Sequence, residues 1–326
     1  MDVHPFIWAG FVGFVLLMLS LDLFLFHRDA HAVTTREGAM WVAIWVSMGL
    51  GFTFVIWAWH GGAEAGEYIA GYLLEYSLSA DNIFVFVLIF SYFAVPKDLQ
   101  HRVLFWGIVG ALVFRAAFIV LGAALLSRFH FMFYVFGAFL LYTGIKMARH
   151  GDVEVHPEKN IVLRLMRRIY PMTPSYHGQR FFIQEAGRRM ATPLLAVLVV
   201  VETTDIIFAV DSIPAIFGVT DKPFIVFTSN AFAILGLRAL YFLLANAMNR
   251  FHYLQLGLSA ILVFIGAKMI GEATGRVHVP IYVSLGFIVL SLTTAVVASL
   301  RKEKREALVE PTPPTEIPPT TQESSE

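Results

Sequence analysis

The sequence contains no cysteine and comparatively few charged residues. Without cysteine, the side chains of its 326 residues cannot form disulfides, thiolate metal ligands, cysteine nucleophiles or thiol redox centres. Charged residues make up only 15% of the chain, against about 25% in a soluble domain. Apolar residues take their place, at 57% of the chain with a mean hydropathy of +0.69. That apolar content predicts a polytopic membrane protein.

The chain also lacks net charge, with 24 basic and 24 acidic residues. The basic residues lie in short segments between apolar runs and do not form one basic face, so we expect no nucleic-acid partner. Their distribution along the chain is more informative than their total.

Nine stretches are apolar and long enough to span the roughly 30 Å hydrocarbon core, which takes about 20 residues. They are 6–26, 39–59, 67–93, 103–126, 131–148, 193–217, 224–245, 253–271 and 279–299. We therefore predict an all-α polytopic membrane protein with about nine transmembrane helices. Ala30-His31-Ala32 resembles a cleavage site, but the first apolar run is too long for a secretion signal and no basic residue precedes it. We expect this helix to be retained.

Lysine and arginine predict the orientation, because they concentrate in cytoplasmic loops. The connections after spans one, three, five and seven, together with the C-terminal segment, contain 17 basic residues. The opposite set of connections contains only three, and four more lie inside spans. We expect a cell-membrane protein with its N-terminus outside and its C-terminus in the cytoplasm.

Two segments are expected outside the bilayer. Residues 149–192 form a long cytoplasmic loop, in which 160–169 has helical apolar spacing and a basic side. This pattern predicts a helix on an anionic lipid surface. Residues 301–326 are rich in proline, threonine and glutamate, which predicts a disordered tail after a transmembrane domain of residues 1–300.

The middle of the chain contains an internal duplication. The segment 144–147 (Gly-Ile-Lys-Met) recurs at 266–269 (Gly-Ala-Lys-Met), and Arg115-Ala116 recurs as Arg238-Ala239, at offsets of 122 and 123. The acidic pattern of 75–83 recurs in 205–213 at an offset of 130. The repeats are about 67–148 and 193–271, with three spans each, so the second copy must be inverted. Inverted repeats are typical of transporters whose substrate site lies near the midplane.

The interiors of spans three and six carry five acidic residues, which are Glu75, Asp81, Glu202, Asp205 and Asp211. An ionised aspartate at the bilayer centre costs about 2.5–3.5 kcal/mol even on the mildest scale. Arg115 and Arg238 lie deep in their spans, and two arginines cannot neutralise five carboxylates. Structural ion pairing is one explanation for these acids. A divalent cation, a proton or both would account for the surplus.

The other polar residues of these spans narrow the choice of cation. Asn82, Ser212 and Asn230 supply oxygen, and no histidine lies near the midplane. All-oxygen sites suit Mn²⁺, Ca²⁺ and Mg²⁺. Pro214 favours a local helix break that would free carbonyl oxygens near Asp211. Asp22 either joins the ion path or reaches the interface, and we weigh the two readings equally.

Four segments resemble the TerC family of integral membrane proteins, and its Alx-like branch in particular. The acidic motifs are Glu75-Tyr-Ser-Leu-Ser-Ala-Asp-Asn-Ile-Phe-Val-Phe86 and Glu202-Thr-Thr-Asp-Ile-Ile-Phe-Ala-Val-Asp-Ser-Ile-Pro-Ala-Ile-Phe217. The segment 228–242 and the first-span segment 21–31 resemble two further motifs. The resemblance covers about residues 6–300.

The resemblance implies a function in metal homeostasis. The family takes its name from tellurium-resistance gene clusters, its members are associated with manganese export, some are labelled redox modulators, and plastid relatives assist thylakoid assembly. The family's acidic motif residues carry over to a set of metal ligands here, which are Glu75, Asp81, Asn82, Asp205, Asp211 and Ser212. Supporting or coupling roles fall to Asp22, Arg115, Glu202, Asn230 and Arg238.

The leading hypothesis is a divalent-cation exporter, with Mn²⁺ as the cargo, that works by alternating access of the two repeats. Asp81 and Asp211 would be primary ligands, while Glu75, Asp205 and Asn82 complete the coordination or carry a counter-transported proton. We expect no prosthetic group and no enzyme activity. An intramembrane aspartyl protease using Asp81 and Asp211 would leave the three other acids and the duplication unexplained.

A non-transporting component of a tellurium-resistance or membrane-protein assembly complex is the main alternative. The sequence leaves open the choice among Mn²⁺, Ca²⁺ and Mg²⁺, the coupling ion, the role of tellurite, and whether the chain forms a homo-oligomer or has a membrane-complex partner.

Overall fold

The structure, a computed structural model, describes residues 3–21, 35–149, 160–185, 187–245, 253–275 and 277–309. Eleven helices and two short strands occur in these ranges. The first helices are α1 (Pro5–Leu21), α2 (Thr35–His60), α3 (Gly62–Tyr92), α4 (Lys97–Arg128), α5 (Met132–Arg149) and α6 (Ile161–Ile169). Strands β1 (Phe182–Glu185) and β2 (Arg188–Ala191) follow, and then α7 (Pro193–Phe217), α8 (Pro223–Leu235), α9 (Leu237–Leu244), α10 (Leu254–Ala273) and α11 (Ile281–Val309).

The predicted helical membrane fold is confirmed, although nine spans is an approximate number. Within the described residues, six helices are long and apolar enough to cross a membrane, namely α2, α3, α4, α7, α10 and α11. Helices α8 and α9, which are bent by 41° at Gly236, are together long and apolar enough to cross a membrane, and the number of spans rises to seven if this bent pair is counted as one. Helix α1 has 17 described residues, and α5, the predicted fifth span, has 18 with Lys146 and Arg149 in its last turn.

The connection between α5 and α7 contains the predicted helix and a hairpin that the sequence did not predict. Helix α6 begins after Asn160, whose side chain accepts a hydrogen bond from the Leu163 N–H at 3.0 Å. Strands β1 and β2 then pair antiparallel, with Phe182 opposite Ala191. Residues 150–159 of the predicted loop lie outside the described residues.

Helix α11 continues beyond the predicted end of the last span at residue 299. It runs to Val309 through a segment of lysine, glutamate, arginine and alanine, all of which are good helix formers. The first nine residues of the expected disordered tail are therefore helical. The remainder of that tail, residues 310–326, lies outside the described part of the chain.

Helix contacts agree with the inverted duplication. A Cβ on Gly137 of α5 would lie 2.9 Å from the Gly266 carbonyl oxygen of α10, and one on Gly144 would lie 3.0 Å from the Ser259 carbonyl oxygen. At the sequence offset of 122, the pair 137–266 becomes the pair 259–144. Helix α3 likewise packs extensively on α8, as its counterpart α7 packs on α4. A twofold axis relating two inverted copies would produce this pattern.

Candidate membrane-embedded carboxylate site

The most polar part of the interior lies where α3, α4, α7 and α8 meet. Glu75 of α3 is fully buried, and Asp205 of α7 is 2% exposed. Ser212 and Asn230, from α7 and α8, are buried beside them. These positions interrupt otherwise apolar helix faces, so folding places carboxylates where lipid or bulk water cannot solvate them.

Arg115 of α4 connects these side chains. Its Nη1 donates hydrogen bonds to Glu75 Oε1, to Ser212 Oγ at 3.2 Å and to Asn230 Oδ1 at 2.9 Å. Its Nη2 lies 3.7 Å from Asp205 Oδ1. We call these five residues the Arg115 cluster. Because Glu75 belongs to the first repeat and Asp205 to the second, one arginine bridges both copies.

Neighbouring groups orient the cluster. The Asn230 amide nitrogen donates to the Val226 carbonyl at 3.2 Å, which turns its oxygen towards Arg115. The Ser79 hydroxyl, one turn beyond Glu75 on α3, lies 3.4 Å from Glu75 Oε1. The spacing of four residues between Glu75 and Ser79 places both side chains on the same face of α3.

Several buried polar atoms of this region have no hydrogen-bond partner among the described residues. They are Glu75 Oε2, Asp205 Oδ2, Glu202 Oε2 and Arg115 Nε. Most buried polar atoms in folded proteins are paired. Each of the three carboxylates therefore retains an oxygen that can accept a proton or bind a cation.

Glu202 approaches α4 at a point where only glycine leaves room. It lies three residues before Asp205, and its carboxylate is so close to Gly110 that a Cβ there would overlap it. The missing side chain of Gly110 thus creates the space for this acid. Gly110 was not identified from the sequence because isolated glycines are common in apolar helices.

Asp81 and Asp211 lie apart from the Arg115 cluster. Each is six residues beyond the cluster acid of its own helix, which places it roughly 9 Å along the axis and about 120° around it. Both are partly buried, and Asn82 is buried next to Asp81. Neither aspartate forms an ion pair within 4 Å with another described residue. The predicted ligand set is therefore divided into two groups.

The described residues contain no group of three or more histidine, aspartate or glutamate side chains arranged to hold a metal ion. Arg115 contacts both Glu75 and Asp205, while Asp81 and Asp211 lie apart from these two acids. Two of the five acids contact an arginine within 4 Å, and the other three do not. Ion pairing therefore accounts for part of the buried charge, and the rest remains uncompensated in this arrangement.

Comparison with known proteins identifies the family. The family model with the description "Integral membrane protein TerC family" matches residues 60–307. This range contains every residue of the Arg115 cluster. The chain belongs to the TerC family.

Several relatives resemble this TerC protein over most of their length. "Uncharacterized membrane protein STKORF319" of Myxococcus xanthus is 53% identical over 301 residues, covering 92% of this chain and 93% of the relative. "Putative membrane-bound redox modulator Alx" of Escherichia coli K12 is 48% identical over 295 residues, which cover 87% of this chain and 91% of the relative. "Thylakoid membrane protein TERC, chloroplastic" of Arabidopsis thaliana is 46% identical over 266 residues, which cover 82% of this chain and 69% of the relative. No solved structure matches the chain.

The remaining predicted site residues of this TerC protein take other positions. Arg238, the counterpart of Arg115, is buried in α9 with 6% exposure and does not contact Glu75 or Asp205 within 4 Å. Asp22 lies outside the described residues. The predicted helix break at Pro214 is wrong, because α7 continues through it to Phe217. Pro214 lies in the last turn, where the missing N–H removes only one hydrogen bond.

A second polar cluster of the TerC protein joins the start of α3 to the α7–α8 connection. Lys222 Nζ lies 3.0 Å from one oxygen each of Glu64 and Glu67, and the Thr220 hydroxyl donates to Glu67 Oε2 at 2.6 Å. Burial lowers the pKa of Lys222, but its hydrogen bonds to Glu67 and Glu64 more than offset this, so the pKa is raised. Lys222 therefore stays charged at neutral pH and links the start of α3 to the connection between α7 and α8.

Proposed function

We propose that this TerC protein carries a divalent metal ion across the membrane, with Mn²⁺ as its cargo. One observation carries the proposal: apart from Glu64 and Glu67 at the start of α3, which pair with Lys222, the two equivalent helices α3 and α7 carry five carboxylates. Only two of these five contact an arginine within 4 Å. A mobile positive ion, or protons, would offset the remaining charge.

Energetics favour this explanation over structural pairing alone. A carboxylate within the bilayer costs about 2.5–3.5 kcal/mol on the mildest scale, and such residues are usually functional. Glu202, Asp81 and Asp211 lack an ion-pair partner within 4 Å in the described part of the chain. Three such residues would make the helix pair costly to insert unless a ligand or a proton neutralises them.

The donor chemistry favours a hard cation. Carboxylate, amide and hydroxyl oxygens surround Arg115, and the chain has no thiolate to offer. Oxygen donors suit Mn²⁺, Ca²⁺ and Mg²⁺. Among these, we choose Mn²⁺ because of the TerC family's association with manganese export.

Arg115 has a defined role in this proposal. In the described conformation it is the internal counter-ion of Glu75 and Asp205. A divalent cation that binds these acids must displace the guanidinium from at least one of them. Because the two acids belong to opposite repeats, this exchange would bias how the repeats pack against each other, which is the requirement for alternating access.

The basic residues indicate the direction of metal transport, and Glu202 is the candidate for proton coupling. The excess of basic residues predicts that the C-terminus faces the cytoplasm, and export would then move the ion towards the N-terminal side. Glu202, with one carboxylate oxygen unpaired beside Gly110, is placed to carry a counter-transported proton.

The name of the Escherichia coli relative refers to redox modulation. This chain has no cysteine, so its own side chains cannot perform thiol–disulfide exchange. An effect of this protein on cellular redox state would therefore need a route other than its own thiols, and metal supply is one such route.

Metal flux into liposomes tests the proposal. Purified protein would be reconstituted into liposomes loaded with a Mn²⁺-sensitive dye, and Mn²⁺, Ca²⁺ and Mg²⁺ would be compared. We expect Mn²⁺ influx with the native chain. The variants Glu75→Gln, Asp205→Asn, Asp81→Asn and Asp211→Asn should reduce it to the rate of empty liposomes.

Asp98→Asn is the matched control, because Asp98 is an exposed carboxylate at the start of α4. It should retain native flux. An absence of metal flux with well-folded native protein would overturn the proposal and favour a non-transporting role. Native flux in Asp205→Asn or Asp211→Asn would refute the site assignment.

A further inference from the structure

Helix α6 has three chemically distinct faces. The first faces the protein: Leu163 and Met166 are 2% and 9% exposed and belong to the same hydrophobic cluster as Leu194 and Val197 of α7. Because α7 enters the apolar region at its first turn, this contact fixes α6 beside the membrane end of a transmembrane helix. The position of α6 is therefore set by packing.

The second face is apolar but has no partner in the described structure. Ile161, Val162, Leu165 and Ile169 are 78%, 47%, 56% and 62% exposed. At 3.6 residues per turn, these four side chains fall within about 100° of the helix circumference. Exposed leucine, isoleucine and valine at the end of a transmembrane bundle are typical of a helix lying in the lipid interface.

The third face is basic. Arg164, Arg167 and Arg168 are all exposed on the remaining side of α6. The neighbouring hairpin extends this surface, because the Arg189 guanidinium lies 4.1 Å from the ring centroid of Phe182, which contacts Tyr170 at the end of α6. Between residues 160 and 192 the sequence has six arginines and one acidic residue.

We propose that this surface binds anionic phospholipids, with the three arginines of α6 on the headgroup phosphates and Ile161, Leu165 and Ile169 among the acyl chains. An apolar face and an adjacent arginine face match the two layers of a bilayer leaflet. Guanidinium groups pair well with phosphate oxygens. The proposal is independent of metal transport, because none of these residues belongs to the Arg115 cluster.

The absence of cysteine makes a direct test feasible. Leu165→Cys would introduce the only thiol, at a side chain that is 56% exposed, for attachment of an environment-sensitive fluorophore to the full-length protein. The protein would be reconstituted into vesicles of phosphatidylglycerol and phosphatidylcholine, with brominated acyl chains on one lipid at a time. We expect bromine quenching at position 165, and stronger quenching when phosphatidylglycerol carries the bromine.

A second labelled position serves as the control for burial of residue 165 among the acyl chains. Gln184→Cys, in the exposed part of β1, should show little quenching because this residue lies on the hairpin and not on the apolar face of α6. Equal absence of quenching at residues 165 and 184 would overturn the proposal and point to a protein partner for α6.

Arginine substitution then tests the headgroup contact. Near an anionic surface, each arginine removed is expected to lower the relative affinity for phosphatidylglycerol about fivefold. Arg168→Gln should therefore lower the ratio of quenching by the two lipids, and Arg164→Gln with Arg167→Gln should lower it further. Arg128→Gln, which removes an exposed arginine at the end of α4, is the matched control. An unchanged ratio in the arginine variants would overturn the assignment.

Discussion

At the scale of single residues, Arg115 is the most informative side chain. Pairing of the buried acids with an arginine was one of the two explanations that the sequence left open, and Arg115 contacts two of them, Glu75 and Asp205. Which acids it contacts depends on how four helices cross, and spacing along one helix does not contain that information. In the proposed mechanism, the Arg115 guanidinium neutralises acids of both repeats when the metal ion is absent.

Arg115→Gln should destabilise the protein and increase its response to metal. Removing one partner of a buried ion pair typically costs about 3–5 kcal/mol, because the remaining charge is left uncompensated. With the guanidinium gone, Mn²⁺ should occupy the freed carboxylates and raise the melting temperature more than in the native chain. Thermal unfolding in detergent, with and without Mn²⁺, measures both effects.

Arg115→Lys is the matched variant, since it keeps the positive charge while losing the fork of donors that reaches several oxygens. It should melt between the native chain and Arg115→Gln. If Mn²⁺ fails to stabilise Arg115→Gln beyond the native chain, the guanidinium and the metal do not compete for the same acids.

At the scale of elements, close helix contacts explain how the scaffold holds its shape. Helices α5 and α10 approach each other through Gly137, Gly144 and Gly266, and the Ser259 hydroxyl donates to the Gly144 carbonyl at 2.8 Å. Small residues at such positions are typical of membrane helix pairs.

Gly266→Ala should disrupt this helix pair. Its Cβ would lie 2.7 Å from the Gly137 carbonyl oxygen, a backbone atom that cannot move without shifting α5. Overpacking of this kind costs about 1–3 kcal/mol, so we expect a lower melting temperature and reduced yield of folded protein. Gly286→Ala is the control, because a Cβ at Gly286 meets nothing within 4 Å. Equal stability of the two variants would contradict the packing described for α5 and α10.

The elements also show where sequence reasoning succeeds. Long apolar stretches predicted most helices, because a transmembrane span needs continuous hydrophobicity. The strands of the hairpin have four residues each, too few for a periodic pattern to identify them. The helix break expected at Pro214 fails because Pro214 lies only three residues before Phe217, where α7 ends and where the sixth span was predicted to end, so little helix remains for the proline to interrupt.

At the scale of the whole molecule, the inverted duplication relates fold to function. Three short matches in the sequence predicted it, and the reciprocal contacts of α5 with α10, and of α3 with α8 and α7 with α4, agree with it. The two halves nevertheless differ at their centre, since Arg115 bridges Glu75 and Asp205 while Arg238 has no contact with either within 4 Å. If the proposed alternating access is correct, such asymmetry would be required in each of its two states.

Direct binding of Mn²⁺ to the purified protein tests the central claim, which is that the acids of α3 and α7 leave negative charge for a mobile cation. Electron paramagnetic resonance reports it, because bound Mn²⁺ loses the sharp spectrum of the free ion. We predict saturable binding to the native chain and to Asp98→Asn, and its loss in a chain carrying both Asp81→Asn and Asp211→Asn, which removes two of the acids that contact no described arginine within 4 Å. Binding that is absent from the native chain, or unchanged in the double variant, would contradict the account.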